Sequence, residues 1–368
     1  MRDSFLRLIR WVRRRFLWIL SAAALTLLFL AASSDLIIRE QTAEVYRISV
    51  IMDEANDDSY QNFRRGVERA ALELHADVSF MTLYQRGDGR EQAELMLREQ
   101  ADGAEALLVP VIDEASVSSL LVSQTLHIPV IFLRGDMVIQ NNFSSANVNS
   151  NYYQLGQLTG QAVLRRLAES RDAAERSADG QPSESQDAVE APAGEQAEVE
   201  RAVKVFYISG SRPYGAGERF LEGVDSVLKE AGCTAEPLVR AANETEILRI
   251  RALEELEDGT GAVLVAADPG SLVRAARYRE QFSEENAAIL GLYGPGTGME
   301  ALEYLEKGTV DGLCITDDFA EGYLAVRTAV EHIGHHTSPM ESVTLEGHYI
   351  EKQDLDEGSY EKILYPME

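Results

Sequence analysis

YRISVIMDE (46–54), QNFRRGVERAALELHA (61–76) and DVSFMTLY (77–84) follow one another with a single short polar loop between the first two. The first and third are short apolar runs rich in β-branched residues, the pattern of strands buried in a parallel sheet. The middle one sets Phe63, Val67, Ala70, Ala71 and Leu74 on one face at helical spacing. Two buried strands with a helix between them make a βαβ unit.

The alternation continues outward. REQAELMLREQADG reads as a helix, EALLVPVI (105–112) as a strand, SVSSLLVSQTLH as a helix and IPVIFL (128–133) as a strand. A helix begins at Tyr152 (YYQLGQLTGQAVLRRLAES). A second series then runs from AVKVFYISGS (202–211) through GERFLEGVDSVLKEAG (217–232), TAEPLVRA, ETEILRIRALEELED, GAVLVAAD (261–268), SLVRAARYREQF, AAILGLYG (287–294) and GMEALEYLEKG to DGLCIT (311–316). The pattern predicts an α/β fold of two Rossmann-like lobes with parallel sheets joined by a hinge. A helix at 319–334 and a strand at 342–352 exceed what a second lobe needs, so the chain is expected to recross the hinge. The expected division is 46–147 plus about 317–340 for lobe 1 and 148–316 plus about 341–368 for lobe 2. Residues 171–201 hold Pro, Ser, Gly and acids but no aromatic residue, and are expected to be a disordered acidic insertion within lobe 2.

Upstream of this body, six arginines against Asp3 precede an uncharged stretch, FLWILSAAALTLLFLAASS (16–34). As a helix it would extend roughly 28 Å at about 1.5 Å per residue, enough to cross a bilayer core. It is expected to be an N-terminal transmembrane helix or a signal peptide, with 1–15 as a cytoplasmic Arg-rich tip and 35–45 as a tether. Arginines on the near side put the N-terminus inside and the body outside the plasma membrane as a single-pass protein, or secreted if Ala32-Ser33-Ser34 is a cleavage site. No cysteine follows the run, which excludes a lipoprotein anchor.

With 45% apolar and 26% charged residues the 368-residue chain can bury a sizeable core. A net charge of -27 argues against nucleic acid as a partner, because phosphate binding needs clustered Lys and Arg. Two cysteines, Cys233 and Cys314, exclude a disulfide scaffold and are expected as buried thiols. No phosphate-loop, zinc-protease or nucleophile-elbow motif is present, so no cofactor, metal or catalytic residue is expected. GPGTG (294–298) lacks a lysine and reads as a tight turn and helix start. His335-His336 diverge on a helix and have no third ligand nearby.

In open α/β sheets ligands bind beyond the carboxyl ends of the strands. The residues that follow strands are Asp53, Asp57, Tyr60, Asp113, Arg134 and Asp136 in the first half. In the second half they are Arg212, Tyr214, Arg219, Asp268, Tyr293 and the pair Asp317-Asp318. Aromatic and charged groups at the same end of both halves suggest one shared cleft. A cleft facing formed by Tyr60 and Arg134 against Arg219, Asp268 and Tyr293 is expected.

YRISVIMDEANDDSYQNFRRGVERAA, EALLVPVIDEAS, IPVIF, NVNSNYYQLGQLTGQAVL, GERFLEGV and EYLEKGTVDGLCITDDFAEGYLAV, in that order, resemble the type I periplasmic sugar-binding proteins of the ribose-binding-like group. That group shares its fold with the effector domain of LacI-type regulators. The resemblance, over about residues 45–355, implies two lobes joined by three hinge crossings and a sugar held between them. It implies that Tyr60 stacks on the sugar ring, that Asp57 replaces an Asn, and that Arg219 lies near an arginine of the second lobe. Arg134 stands where the family has an Asp, with Asp136 two residues on. Ala267 replaces an Asn beside Asp268, Tyr293 replaces an Asp, and Thr316 or Asp317 replaces a Gln. Carboxylates that would accept sugar hydroxyls are thinned, and Arg134 leaves room for an anionic or larger ligand.

The expected function is an extracytoplasmic, membrane-anchored solute-binding protein closing around a small polar ligand, a carbohydrate or derivative. Its partner would be an ABC permease or a sensor histidine kinase. A structural ectodomain with a degenerate cleft is the alternative. A LacI-type regulator would need a helix-turn-helix where the apolar segment stands, and an enzyme would need a nucleophile with a base, or a metal set.

Overall fold

A computed structural model of the chain describes residues 2–33, 45–53, 58–85, 87–113, 115, 117–119, 126–135, 137, 143–179, 203–209, 213, 215–238, 261–281, 289–335 and 340–365. It divides into two units, residues 1–45 and residues 46–368.

The first unit contains one helix, α1 (Arg2–Ser33). Its side chains are described without a gap only over 18–30, a wholly uncharged stretch whose residues are all exposed. Among the described residues no helix is long and apolar enough to cross a membrane, so the transmembrane segment expected at 16–34 has no support from this structure. At the polar end the Arg15 guanidinium lies 4.4 Å over the Trp11 ring.

The second unit holds two six-stranded sheets. The first contains β1 (Tyr46–Met52), β2 (Ala76–Thr82), β3 (Ala106–Pro110), β4 (Val130–Leu133), β5 (Ser145–Ser150) and β11 (Val343–Leu345), in the order β11-β5-β4-β3-β1-β2. Every pairing in it is parallel. The second contains β6 (Val203–Ile208), β7 (Ala235–Pro237), β8 (Gly261–Ala266), β9 (Ile289–Pro295), β10 (Gly312–Ile315) and β12 (His348–Ile350), in the order β12-β10-β9-β8-β6-β7. Here only β12 runs antiparallel, against β10.

The helices are α2 (Asp58–Leu74), α3 (Gly89–Ala101), α4 (Tyr152–Asp179), α5 (Gly215–Glu230), α6 (Pro269–Gln281), α7 (Met299–Lys307), α8 (Asp318–His335), α9 (Lys352–Asp356) and α10 (Glu361–Leu364). They cover both faces of each sheet, which is why the central strands β3, β4 and β8 are buried throughout rather than alternating. In β1, Ile48, Val50 and Met52 pack with Phe63 and Val67 of α2 and Ala325, Val326 and Ala329 of α8, whereas Ile51 packs with Leu95 and Met96 of α3. In β8, Leu264 and Ala266 face Leu272 and Ala275 of α6, while Val263 and Val265 face Val163 of α4 and Phe220 and Val224 of α5.

Each lobe also has one close helix pair built on glycine. A Cβ at Gly66 of α2 would overlap the Phe319 carbonyl oxygen of α8, and one at Gly322 would overlap that of Phe63. In the other lobe Gly156 of α4 abuts the Phe220 carbonyl of α5, and Gly223 abuts that of Tyr153. Both pairs unite the helix after a lobe's first strand with a helix that begins at a crossing between sheets.

The chain passes between the sheets three times: from β5 into α4, from β10 into α8, and from β11 to β12. Three expected boundaries move. The first sheet keeps the chain to Ser150 rather than 147. The strand expected at 342–352 is two strands, and β11 belongs to the first sheet, not to lobe 2. The expected insertion begins as helix, because α4 continues through 171–179, a run of Arg, Ala, Asp, Glu and one Ser with no Gly or Pro. Residues 180–202 lie outside the described residues, as do the helix expected over ETEILRIRALEELED and most of that over SVSSLLVSQTLH.

Candidate functional site

The carboxyl ends of both sheets face one another across a cavity of about 170 Å³. This is below the roughly 300–1,000 Å³ of drug-sized pockets and suits a small ligand. Lobe 1 contributes Met52, Asp53 and Val111 at strand ends, Ser59 from the first turn of α2, and Arg134 after β4. Lobe 2 contributes Phe220, Asp268 and Thr297, and the crossings contribute Tyr152, Thr316 and Asp318. The lobes touch here: a Cβ at Gly215 would overlap the Val111 carbonyl oxygen and stand 3.3 Å from that of Arg134.

Arg134 is the hub. Its φ of 54° lies in the left-handed region, uncommon outside glycine and costly enough to need support from the surroundings. That support comes from α8. The Arg134 backbone N–H donates to Glu321 Oε1 at 3.2 Å, and its Nε lies 3.7 Å from Glu321 Oε2. The guanidinium also donates through Nη2 to Ser59 Oγ at 3.1 Å. Glu321 is only 2% exposed, and its Oε2 accepts no hydrogen bond. Burial lifts its carboxyl to about 7; the Asp318 charge adds to the rise and Arg134 opposes it.

Asp318, 4% exposed, sits one turn before Glu321 on the same helix face. It accepts from Thr297 Oγ1 at 2.9 Å and Thr316 Oγ1 at 3.1 Å. The first of these bonds joins the lobes. Burial raises the Asp318 carboxyl, while Arg134, Thr297, Ser59 and Thr316 pull it back. Tyr152 is pushed well above the usual phenol value, by burial first and by the nearby Glu321 charge second. Opposite, Asp268 accepts from the Ser271 N–H at 2.9 Å, Ser271 Oγ at 2.7 Å and Ser209 Oγ at 3.5 Å, with Arg274 at 4.0 Å. Asp53 accepts from the Gly87 N–H at 2.8 Å.

Of the residues expected in the cleft, Arg134 and Asp268 line the cavity together. Tyr60 does not. The helix starts at Asp58, earlier than the polar loop suggested, so Tyr60 joins Phe63 and Val67 on the core face, with its ring 6.2 Å from that of Phe80. Tyr293 is also core. The strand runs on to Pro295, and Tyr293 points to the α4 and α5 side beside Phe220 and Cys314, leaving Gly296 and Thr297 of the GPGTG turn to reach the cavity. Arg219 lies a full turn into α5, exposed and paired with Glu222 at 2.9 Å, in a separate groove with Asn149 and Tyr153. Asp113 is exposed and caps the Ala115 N–H at 3.2 Å. Asp317 caps α8 through the Ala320 N–H at 2.8 Å, so Asp318 is the member of the pair that faces the cleft. Asp57, Asp136, Arg212 and Tyr214 lie outside the described residues, as does His336.

Ser59, Tyr152, Thr297 and Glu321 were not singled out from the sequence. Glu321 had one available signal, its spacing of three residues from Asp318. Arg134, expected to leave room for an anionic or larger ligand, has Glu321 and Asp318 beside it, and Asp53 and Asp268 add two more carboxylates to the cavity wall.

The periplasmic binding protein domain family matches residues 48–337, most of the chain. The chain belongs to the periplasmic binding protein family. This periplasmic binding protein is thereby a binding protein and not an enzyme. A search of curated proteins gave no match. Among solved structures, the periplasmic binding protein is similar to GanP, a glucose-galactose binding protein from Geobacillus stearothermophilus, at 18% identity and a TM-score of 0.62, covering 85% of this chain and 99% of that one. It is similar to a carbohydrate transporter solute-binding protein from Agrobacterium radiobacter, in complex with D-arabinose, at 15% identity and a TM-score of 0.65, covering 88% and 100%. XylFII in a XylFII-LytSN complex has 14% identity and a TM-score of 0.60, covering 84% and 99%. At these identities the likeness establishes the fold.

Proposed function

We propose that this protein is an extracytoplasmic, membrane-anchored solute-binding protein that closes around a small polar ligand of sugar-like chemistry. The observation that carries the reading is the Asp318 network, in which a buried carboxylate at a crossing is bonded by Thr297 of one lobe and lies beside Arg134 of the other. Such a group senses both a ligand and the approach of the lobes. The D-arabinose and glucose-galactose binders among its fold neighbours support the ligand class. The anchor rests on the sequence: residues 16–34 carry no charge and an arginine cluster precedes them. Delivery to an ABC-type permease is the use to which the carbohydrate transporter protein among those neighbours points. Presentation of the closed state to a sensor protein has support in the neighbour solved in complex with LytSN.

Thermal melts of the full chain against D-glucose, D-galactose, D-arabinose, myo-inositol and their deoxy relatives test the binding. A ligand at 100 times its Kd adds about 2.7 kcal/mol of stability, and Asp318→Asn should lose most of that gain. A panel that leaves the melting curve unmoved would remove the solute-binding reading. Protease added to intact cells stripped of outer layers should digest the body of the protein, and full protection would refute the proposed topology.

A further inference from the structure

A closed cleft must satisfy every ligand hydroxyl it desolvates, so the unused hydrogen-bonding capacity of the wall sets how many hydroxyls it can accept. Among the described residues, much of that capacity at Asp318 and Asp268 is taken up by the protein itself. A carboxylate offers about four acceptor sites. Asp318 receives Thr297 and Thr316 and interacts with Ser59. Asp268 receives both the N–H and the hydroxyl of Ser271 and a longer bond from Ser209. Arg134 gives one N–H to Ser59 and is held against Glu321. The hydroxyls of Thr297, Thr316, Ser59 and Ser209 therefore point their protons at the protein's own carboxylates. Between these groups the wall is apolar: Met52, Val111, Ile112, Leu155 and Phe220 come from both lobes and the first crossing.

Resting on the solute-binding reading above, we infer that the cleft selects a sugar-like ligand poor in hydroxyls, a deoxy sugar in which hydrogen or methyl replaces one or more hydroxyl groups. Its apolar face packs on the aliphatic wall, and its few remaining hydroxyls take the remaining acceptor sites of Asp318 and Asp268. A fully hydroxylated hexose or inositol of similar size would strand hydroxyls against Met52, Val111 and Leu155.

Isothermal titration of the full chain with matched pairs tests this: L-rhamnose against L-mannose, D-fucose against D-galactose, and 2-deoxy-D-ribose against D-ribose. In at least one pair the deoxy member should bind tenfold or more tightly than its parent. A parent that binds as well as its deoxy partner in every pair that binds overturns the inference and leaves solute binding standing. Failure of every sugar to bind overturns both. Ser271→Ala supplies a second arm, because it removes the Oγ bond to Asp268 Oδ2 while keeping the backbone bond. It frees one acceptor, so the deoxy-to-parent affinity ratio should fall several-fold, and an unchanged ratio with folding intact would count against the assigned wall.

Discussion

Glu321 is held at 2% exposure with an oxygen that accepts nothing, and that makes the folded protein prefer its protonated form. Its carboxyl titrates near 7 in the fold against an ordinary 4.5, so folding takes up a proton between those values. Its contribution to stability is therefore present in full below about pH 4.5 and is lost as pH rises towards and through 7. Glu321→Gln keeps the acceptor for the Arg134 N–H but cannot ionise. The melting temperature of wild type minus that of Glu321→Gln should fall between pH 5 and pH 8, and a difference that does not change with pH would contradict the assignment. The charged and titratable groups facing Glu321 are Arg134, Asp318 and Tyr152, and the raised Asp318 carboxyl leaves a residual slope in both proteins. At this scale the sequence was legible only where strand ends decide position. Arg134 and Asp268 follow strands that stop where the apolar runs stop. Tyr60 and Tyr293 were misplaced because a helix began three residues early and a strand ended one residue late, and a shift of that size turns a side chain from the cleft into the core.

Between elements, the two glycine-seated helix pairs are where tolerance should be least. Gly66→Ala and Gly156→Ala each drive a methyl into a backbone carbonyl that cannot rotate away, so α8 or α5 must shift. Overpacking of this kind typically costs about 1–3 kcal/mol. Gly334→Ala is the contrast. It lies in α8 with only the Tyr46 hydroxyl at 3.4 Å, and replacing a helical glycine there should stabilise by up to about 1 kcal/mol. Urea unfolding of the three variants checks the order, and equal midpoints would show that the pairs are not tightly seated. Helix and strand alternation was readable because the central strands β1, β3, β4 and β8 are buried on both faces and are short, mostly apolar runs. The glycine contacts were not readable, since a glycine within an amphipathic helix looks the same whether its Cβ position is open or filled by a neighbour.

At the scale of the molecule, Gly215 makes a close backbone approach to Val111 across the lobes. A side chain at residue 215 would meet the Val111 carbonyl oxygen, and its φ of 52° disfavours other residues as well. Gly215→Val should hold the lobes apart, raising the radius of gyration in X-ray scattering and weakening ligand binding at least tenfold while each lobe keeps its secondary structure. Unchanged scattering and affinity would show that closure does not pass through this contact. The two-lobe plan was visible in the repeated alternation, and the last helix and strand announced a return across the hinge. The splitting of that strand between sheets was not visible, because three-residue strands carry too little pattern. This ending of the fold also bears on the order in which it can assemble. Lobe 1 begins at residue 46, yet its outer helix α8 starts at 318 and its edge strand β11 at 343, where the Asn147 N–H is bonded by Ser342 across 195 residues. A chain emerging from its N-terminus cannot finish the first lobe until nearly all of the second has followed. Folding should accordingly be slow and late, as contacts between distant residues require. During that interval the unfinished sheet edge at β5 is the surface most in need of protection from other chains.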